Sequence, residues 1–160
     1  MKEIAQSLRD TISFILPQLR QISDAEAALK PRPEKWSKKE VLGHLIDSAC
    51  NNQQKFVRTM QQTHLDFVGY QQNAWVALQR YNEADWTTLI DIWVAYNQQI
   101  AHIIEHADPS VLEHTITIEG TGPFSLSFIM ADYGEHLKHH LLQILPHADL
   151  KSGFSNVYNA

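Results

Sequence analysis

The segment EHLKHHLLQIL, residues 135–145, places three histidines within five positions of an otherwise apolar run. On a helix, at about 100° per residue, His136 and His140 lie about 40° apart. They share one arc with four core-type residues, Ile129, Tyr133, Leu137 and Ile144. The pattern predicts a helix from Leu126 to about Leu145, ended by Pro146, with two imidazoles facing the core.

Two inward imidazoles need partners, because an unpaired buried polar group costs on the order of 1–3 kcal/mol. A shared metal ion is one solution. The alternative is a hydrogen bond from one ring to a backbone carbonyl or to Asp132, with the other ring at the open end of a bundle. His139 lies about 60° from His136 and is predicted to face the surface.

A second pair, His102 and His106, has the same i, i+4 spacing on another predicted helix. The core arc of that helix contains Trp86, Leu89, Trp93, Asn97, Ile100 and Ile104. His102 falls about 180° from Trp93 and His106 about 220°. Both are therefore predicted to face water.

A third inward histidine lies on the helix that follows Ser37. Ser37 and Glu40 form a capping-box pattern, which predicts a helix from Lys38 to about Gln62. His44 falls at the edge of its apolar arc. Three neutral imidazoles form the open ligand set of catalytic zinc. Asp47 and Asp132 each lie within one turn of a candidate ligand and are predicted to accept the far ring N–H.

The remaining pattern predicts two more long helices. One runs to about Ile22, with a kink or break at Pro17, and the other begins after Asn82 and stops before Pro109. The stretch THLDFVGYQQNAWVALQR is predicted to be a loop with one short helix, and EHTITIEGTGPFS is predicted to be a short extended excursion. Four long amphipathic helices predict an all-α, four-helix-bundle fold.

Composition restricts the class of protein. The 160 residues predict one domain over 1–160, with 44% hydrophobic residues and a net charge of -5 that argues against nucleic-acid binding. No signal peptide or apolar run of about 18 residues appears, so no membrane partner is expected. The single cysteine, Cys50, is interpreted as a small buried hydrophobe in a cytoplasmic protein.

Two segments carry a family resemblance: WSKKEVLGHLIDS, Trp36 to Ser48, and YGEHLKHHLLQI, Tyr133 to Ile144. Their order and spacing resemble the signature segments of the DinB-like superfamily, in particular its YfiT-like metal-binding branch. The resemblance implies a four-helix bundle with a divalent ion, zinc or nickel, held by His44, His136 and His140. It also implies a possible homodimer.

The resemblance further implies a metal-dependent S-transferase that uses a low-molecular-weight thiol, with the ion lowering the pKa of the nucleophile. A metal-dependent hydrolase, with Glu135 or Asp132 as a possible base, is one alternative. A non-catalytic metal-binding bundle is another. Trp75 and Tyr70, in the irregular connection, are predicted to be pocket walls.

Overall fold

The computed structural model describes residues 1–158. Its four long helices are α1 (Lys2–Leu19), α3 (Lys38–Met60), α5 (Trp86–Glu105) and α6 (Leu126–Ile144). Two short helices, α2 (Asp24–Ala28) and α4 (Gln72–Leu78), and three strands, β1 (His64–Phe67), β2 (Thr115–Ile118) and β3 (Thr121–Ser125), connect them.

The long helices form a four-helix bundle in which α3 and α6 are neighbours. Both α1 and α3 pack against α5 and against α6, so the order around the bundle is α1, α5, α3, α6. Its interior is filled by fully buried side chains from all four, including Ile15, Leu45, Phe56, Trp93, Ile100 and Ile129. None of the helices in residues 1–158 has the length and apolarity needed to cross a membrane.

The two helices that carry the inward histidines begin as predicted. The Ser37 side chain accepts from the Glu40 N–H and the Glu40 carboxylate accepts from the Ser37 N–H, which confirms the capping box. Ser125 caps α6 by accepting from the Phe128 N–H, and α6 ends before Pro146. These caps set the residues at which both helices begin.

Two helix ends differ from the prediction. Helix α1 continues through Pro17 and ends at Leu19, because a proline two residues from the end removes only one intrahelical bond. Helix α5 begins at Trp86, since Asp85 accepts from the Thr88 N–H. Asn82 lies in a preceding 3-10 turn instead of acting as the cap.

A small sheet corrects the all-α prediction. Strand β1 pairs in parallel with β2, and β2 pairs antiparallel with β3. The extended excursion over 115–125 is confirmed, whereas β1 lies in the stretch predicted as loop. Leu65 and Phe67 alternate inward along β1, so pairing with a strand some fifty residues away covers their apolar face.

One glycine fixes how the connection after α4 meets α3. A Cβ at Gly43 would collide with the aromatic ring of Tyr81. The missing side chain lets this ring lie flat on α3 and brings the Tyr81 hydroxyl to Asp47. Gly43 is therefore a packing requirement of the helix that carries His44.

Candidate metal centre

His44 of α3 meets His136 and His140 of α6. One nitrogen from each ring lies within 4.8 Å of one nitrogen from each of the others. The ring centroids of His136 and His140 are 4.5 Å apart, and His44 lies 4.6 Å from His140. Within residues 1–158, no carboxylate or thiol joins the three in that span.

His44 is the most enclosed member of the cluster. Its exposed fraction is 0%, and neither ring nitrogen has a hydrogen-bond partner in the part of the chain that the structure describes. The Trp36 ring packs 5.1 Å away on one side. Leaving such a group unpaired costs on the order of 1–3 kcal/mol, so His44 is a candidate metal ligand.

His136 and His140 turn their Nε2 atoms toward each other. These two atoms are 3.1 Å apart. Two zinc–nitrogen bonds at a tetrahedral angle separate their nitrogens by roughly 3.4 Å. The opposite ring atoms face neutral oxygens: Nδ1 of His136 lies 3.5 Å from Ser48 Oγ, and Nδ1 of His140 lies 3.3 Å from Gln143 Oε1. The pair thus fits a shared ion.

Electrostatics keep the three rings neutral. Burial, and then the nearby His140, lower the pKa of His44 to about 3, and burial lowers the pKa of His140 to about 4. Burial and the neighbouring histidines hold the pKa of His136 well below its usual value. A neutral imidazole is the form that binds a metal ion, so at pH 7 no proton must first be removed.

The two carboxylates predicted to orient the rings have other partners. Oδ1 of Asp47 accepts from the Tyr81 hydroxyl and from Gln79 Nε2, both at 2.7 Å, and Asp132 accepts from the Tyr158 hydroxyl at 2.6 Å. Burial raises the pKa of both carboxyls. In the described chain the ring neighbours are instead Ser48 and Gln143, and Asp47 Oδ2 is buried without a hydrogen-bond partner.

The C-terminal segment 152–158 covers one side of the cluster, which the sequence reasoning did not anticipate. The Phe154 ring packs 5.1 Å from His136. Ser152 Oγ donates to the Glu135 carbonyl, and the Gly153 N–H donates to the Glu135 carboxylate. The segment has no regular structure, so no periodic signal reveals it.

An open cleft reaches the cluster from the end of the bundle. It has a volume of about 940 Å³ and touches His140 and its neighbour Gln143. The prediction that His102, His106 and His139 face the surface is confirmed, because all three are exposed. Tyr70 stacks on Trp75 at 4.8 Å, but neither residue lines this cleft.

Comparison with known proteins gives one family and two similar structures. The model of the DinB superfamily matches residues 7–144. YfiT from Bacillus subtilis, described as a probable metal-dependent hydrolase with an unusual four-helix bundle topology, aligns with a TM-score of 0.80 and 18% identity over 90% of this chain and 83% of that one.

A mycothiol-dependent maleylpyruvate isomerase aligns with a TM-score of 0.64 and 11% identity. The alignment covers 97% of this chain and 63% of the isomerase. Among curated proteins no match was found. At these identities the two structures show a common fold.

Proposed function

The chain belongs to the DinB superfamily, and we propose that it is a metal-dependent S-transferase that uses a low-molecular-weight thiol. The observation that carries the proposal is the convergence of three neutral imidazoles within 4.8 Å. His44, His136 and His140 would hold the ion, and His44 has both nitrogens buried without a partner in residues 1–158. Zinc and nickel both suit imidazole ligands.

When bound at three histidines, a divalent ion supplies positive charge at an open position and lowers the pKa of a nucleophile there. The three side chains orient the ion from two neighbouring helices. Ser48 and Gln143 stand behind His136 and His140 and favour the ring orientation in which Nε2 faces the centre. Phe154 and Trp36 exclude water from two sides.

Within residues 1–158 no carboxylate oxygen lies in the 4.8 Å span of the three imidazoles, and this favours a thiol over water as the nucleophile. Asp47 and Asp132 accept from tyrosine hydroxyls, and Glu135 is held by Lys138 at 2.7 Å and by the Gly153 N–H at 2.6 Å. A free thiol has a pKa of about 8.5, whereas water has a pKa of about 15.7. A thiol therefore needs only a small shift and no dedicated base to ionise at pH 7.

The proposed reaction balances as a substitution. The thiol loses its proton to solvent, and its sulfur uses the freed electron pair to bond to the electrophilic carbon. The bond from that carbon to the leaving group breaks, and the leaving group departs with the bonding pair. The products are a thioether and the released anion.

The test uses protein loaded with cobalt(II), cysteine as the thiol and 1-chloro-2,4-dinitrobenzene as the electrophile. We expect sulfur-to-metal charge-transfer absorption on addition of millimolar cysteine, and metal-dependent release of chloride with formation of the dinitrophenyl thioether. His136→Ala should lose both signals, while the double variant His102→Ala, His106→Ala should keep them.

A metal-dependent hydrolase is the second candidate, favoured by the fold similarity to YfiT. Turnover of 4-nitrophenyl acetate without added thiol, together with no charge-transfer band, would replace the transferase by the hydrolase. Metal binding without either turnover would support a non-catalytic bundle.

A further inference from the structure

The cleft at the end of the bundle has the dimensions of a small-molecule site. Its volume of about 940 Å³ lies within the range of roughly 300–1,000 Å³ that such pockets occupy. It lies where α3 begins and α6 ends, and His140 forms part of its wall. Apolar side chains supply much of the rest of the wall: Leu29, Pro31, Trp36, Val41, Ile144 and Pro146.

Trp36 links the cleft to the histidine cluster. Its ring is half-buried, packs 5.1 Å from His44 at an angle of 38°, and also lines the cleft. Leu29, on the same wall, is 69% exposed. A half-buried indole beside an exposed leucine gives a ligand apolar surface to cover.

The positive and negative charges around the cleft balance one another. Of the three lysines and two glutamates of the wall, Lys38 pairs with Glu26 at 2.6 Å, and Lys30 pairs at 2.8 Å with Glu40, which lies just outside the wall. The two remaining charged residues of the wall, 34 and 35, are an adjacent glutamate and lysine of opposite sign. A charged ligand would lose hydration here without meeting an unbalanced opposite charge.

We propose that this cleft binds an uncharged, apolar molecule of up to three aromatic rings, which stacks on Trp36. Binding requires only the cleft wall and no metal ion. The further role of the cleft, as the pocket for the electrophile that the thiol attacks, rests on the proposed function.

The test is fluorescence titration of metal-free protein with two probes of similar shape, the neutral N-phenyl-1-naphthylamine and the anionic 8-anilino-1-naphthalenesulfonate. We expect saturable 1:1 binding of the neutral probe, at least about fivefold tighter than that of the anion. Trp36→Ala should weaken binding of the neutral probe about tenfold, and Leu29→Ser should weaken it about threefold. The matched controls Trp75→Ala (37% exposed) and Leu78→Ser (80% exposed) lie outside the cleft wall and should leave binding unchanged.

Three results would overturn the inference: no saturable binding, equal affinity in Trp36→Ala and wild type, or an anion that binds as tightly as the neutral probe. The metal-free format separates this inference from the proposed function. If metal-loaded wild type forms the thioether and metal-free protein binds the neutral probe through Trp36, both stand. If the neutral probe does not bind while metal and thiol do, only the cleft assignment is wrong. If the probe binds through Trp36 while no thioether forms, only the transferase fails.

Discussion

Two histidine pairs in this bundle share the same spacing and have opposite surroundings. The ring centroids of His136 and His140 are 4.5 Å apart, and those of His102 and His106 are 4.2 Å apart. The first pair faces α3 and meets His44, whereas the second lies on the exposed face of α5, where His106 Nδ1 contacts the His102 carbonyl at 2.9 Å. Spacing alone therefore does not make a metal site.

The two pairs differ in their exposure to solvent and in the presence of a third imidazole. On α5, solvent satisfies the rings, so an ion must compete with water for them. Between α3 and α6, burial holds the rings neutral, and His44 has lost its water without gaining a protein partner in the described chain. We call His136 and His140 the inner pair, and His102 and His106 the outer pair.

The largest expected effect concerns metal affinity. His136→Ala or His140→Ala removes one of the three proposed ligands and should weaken metal binding by at least about a hundredfold. The measurement is metal content after dialysis, combined with competition against a chromophoric chelator. The double variant His102→Ala, His106→Ala is the control and should retain wild-type content. Full retention in both inner variants would refute the site.

The second effect concerns acid stability of the metal-free protein. The pKa of His140 is about 4 in the folded chain and about 6.5 when unfolded, so between these values the unfolded state binds more protons. Stability should therefore fall as pH drops from about 6.5 to 4 and should not depend on this group above that range. His140→Gln should remove about 3 kcal/mol of the loss.

Urea unfolding at several pH values between 4.5 and 7.5 measures this slope. His102→Gln is the matched variant on the exposed face and should keep the wild-type slope. An unchanged slope in His140→Gln would show that its ring does not stay neutral in the folded protein.

The third effect has an unusual sign. His44→Phe removes two buried nitrogens that lack a partner, so the metal-free variant should be more stable than wild type by about 1 kcal/mol, although it no longer binds metal. Chemical denaturation in the presence of a chelator measures the difference. His102→Phe, at the surface, should change stability by less than about 0.5 kcal/mol. Clear destabilisation by His44→Phe would mean that the ring has a partner in solution.

The smallest effect concerns the support of one ring. Ser48→Ala removes the hydroxyl 3.5 Å from His136 Nδ1 and should weaken metal binding about three- to tenfold. His139→Ala, on α6 but exposed, should change it less than about twofold. Calorimetric titration of both variants resolves the two values, and equal affinities would place Ser48 outside the site.

Local signals predicted the helices of the site well. The capping box of Ser37 and Glu40 predicted the start of α3, and Pro146 predicted the end of α6. The helical phase then placed His44, His136 and His140 on faces that meet. The prediction of Asn82 as the cap of α5 was wrong, because Asn82 lies in the 3-10 turn before the helix and Asp85 caps it instead.

Features that depend on distant parts of the chain were beyond prediction. Strand β1 is defined by its pairing with β2, some fifty residues later. The partners of Asp47 and Asp132 are the hydroxyls of Tyr81 and Tyr158, which reach them from irregular segments. Helical periodicity carries no information about such encounters, and the cover that Phe154 provides was missed for the same reason.

The separation of the ligands along the chain has a consequence for biosynthesis. His44 precedes His136 by about ninety residues. At about 5–20 residues per second on the ribosome, His44 waits roughly 5–20 seconds before its companion ligands have been added. During that time a nascent chain has no three-histidine site to offer a metal ion. Under the proposed function, metal loading would therefore be a late step, and a bound ion would mark a chain in which α3 and α6 have already come together.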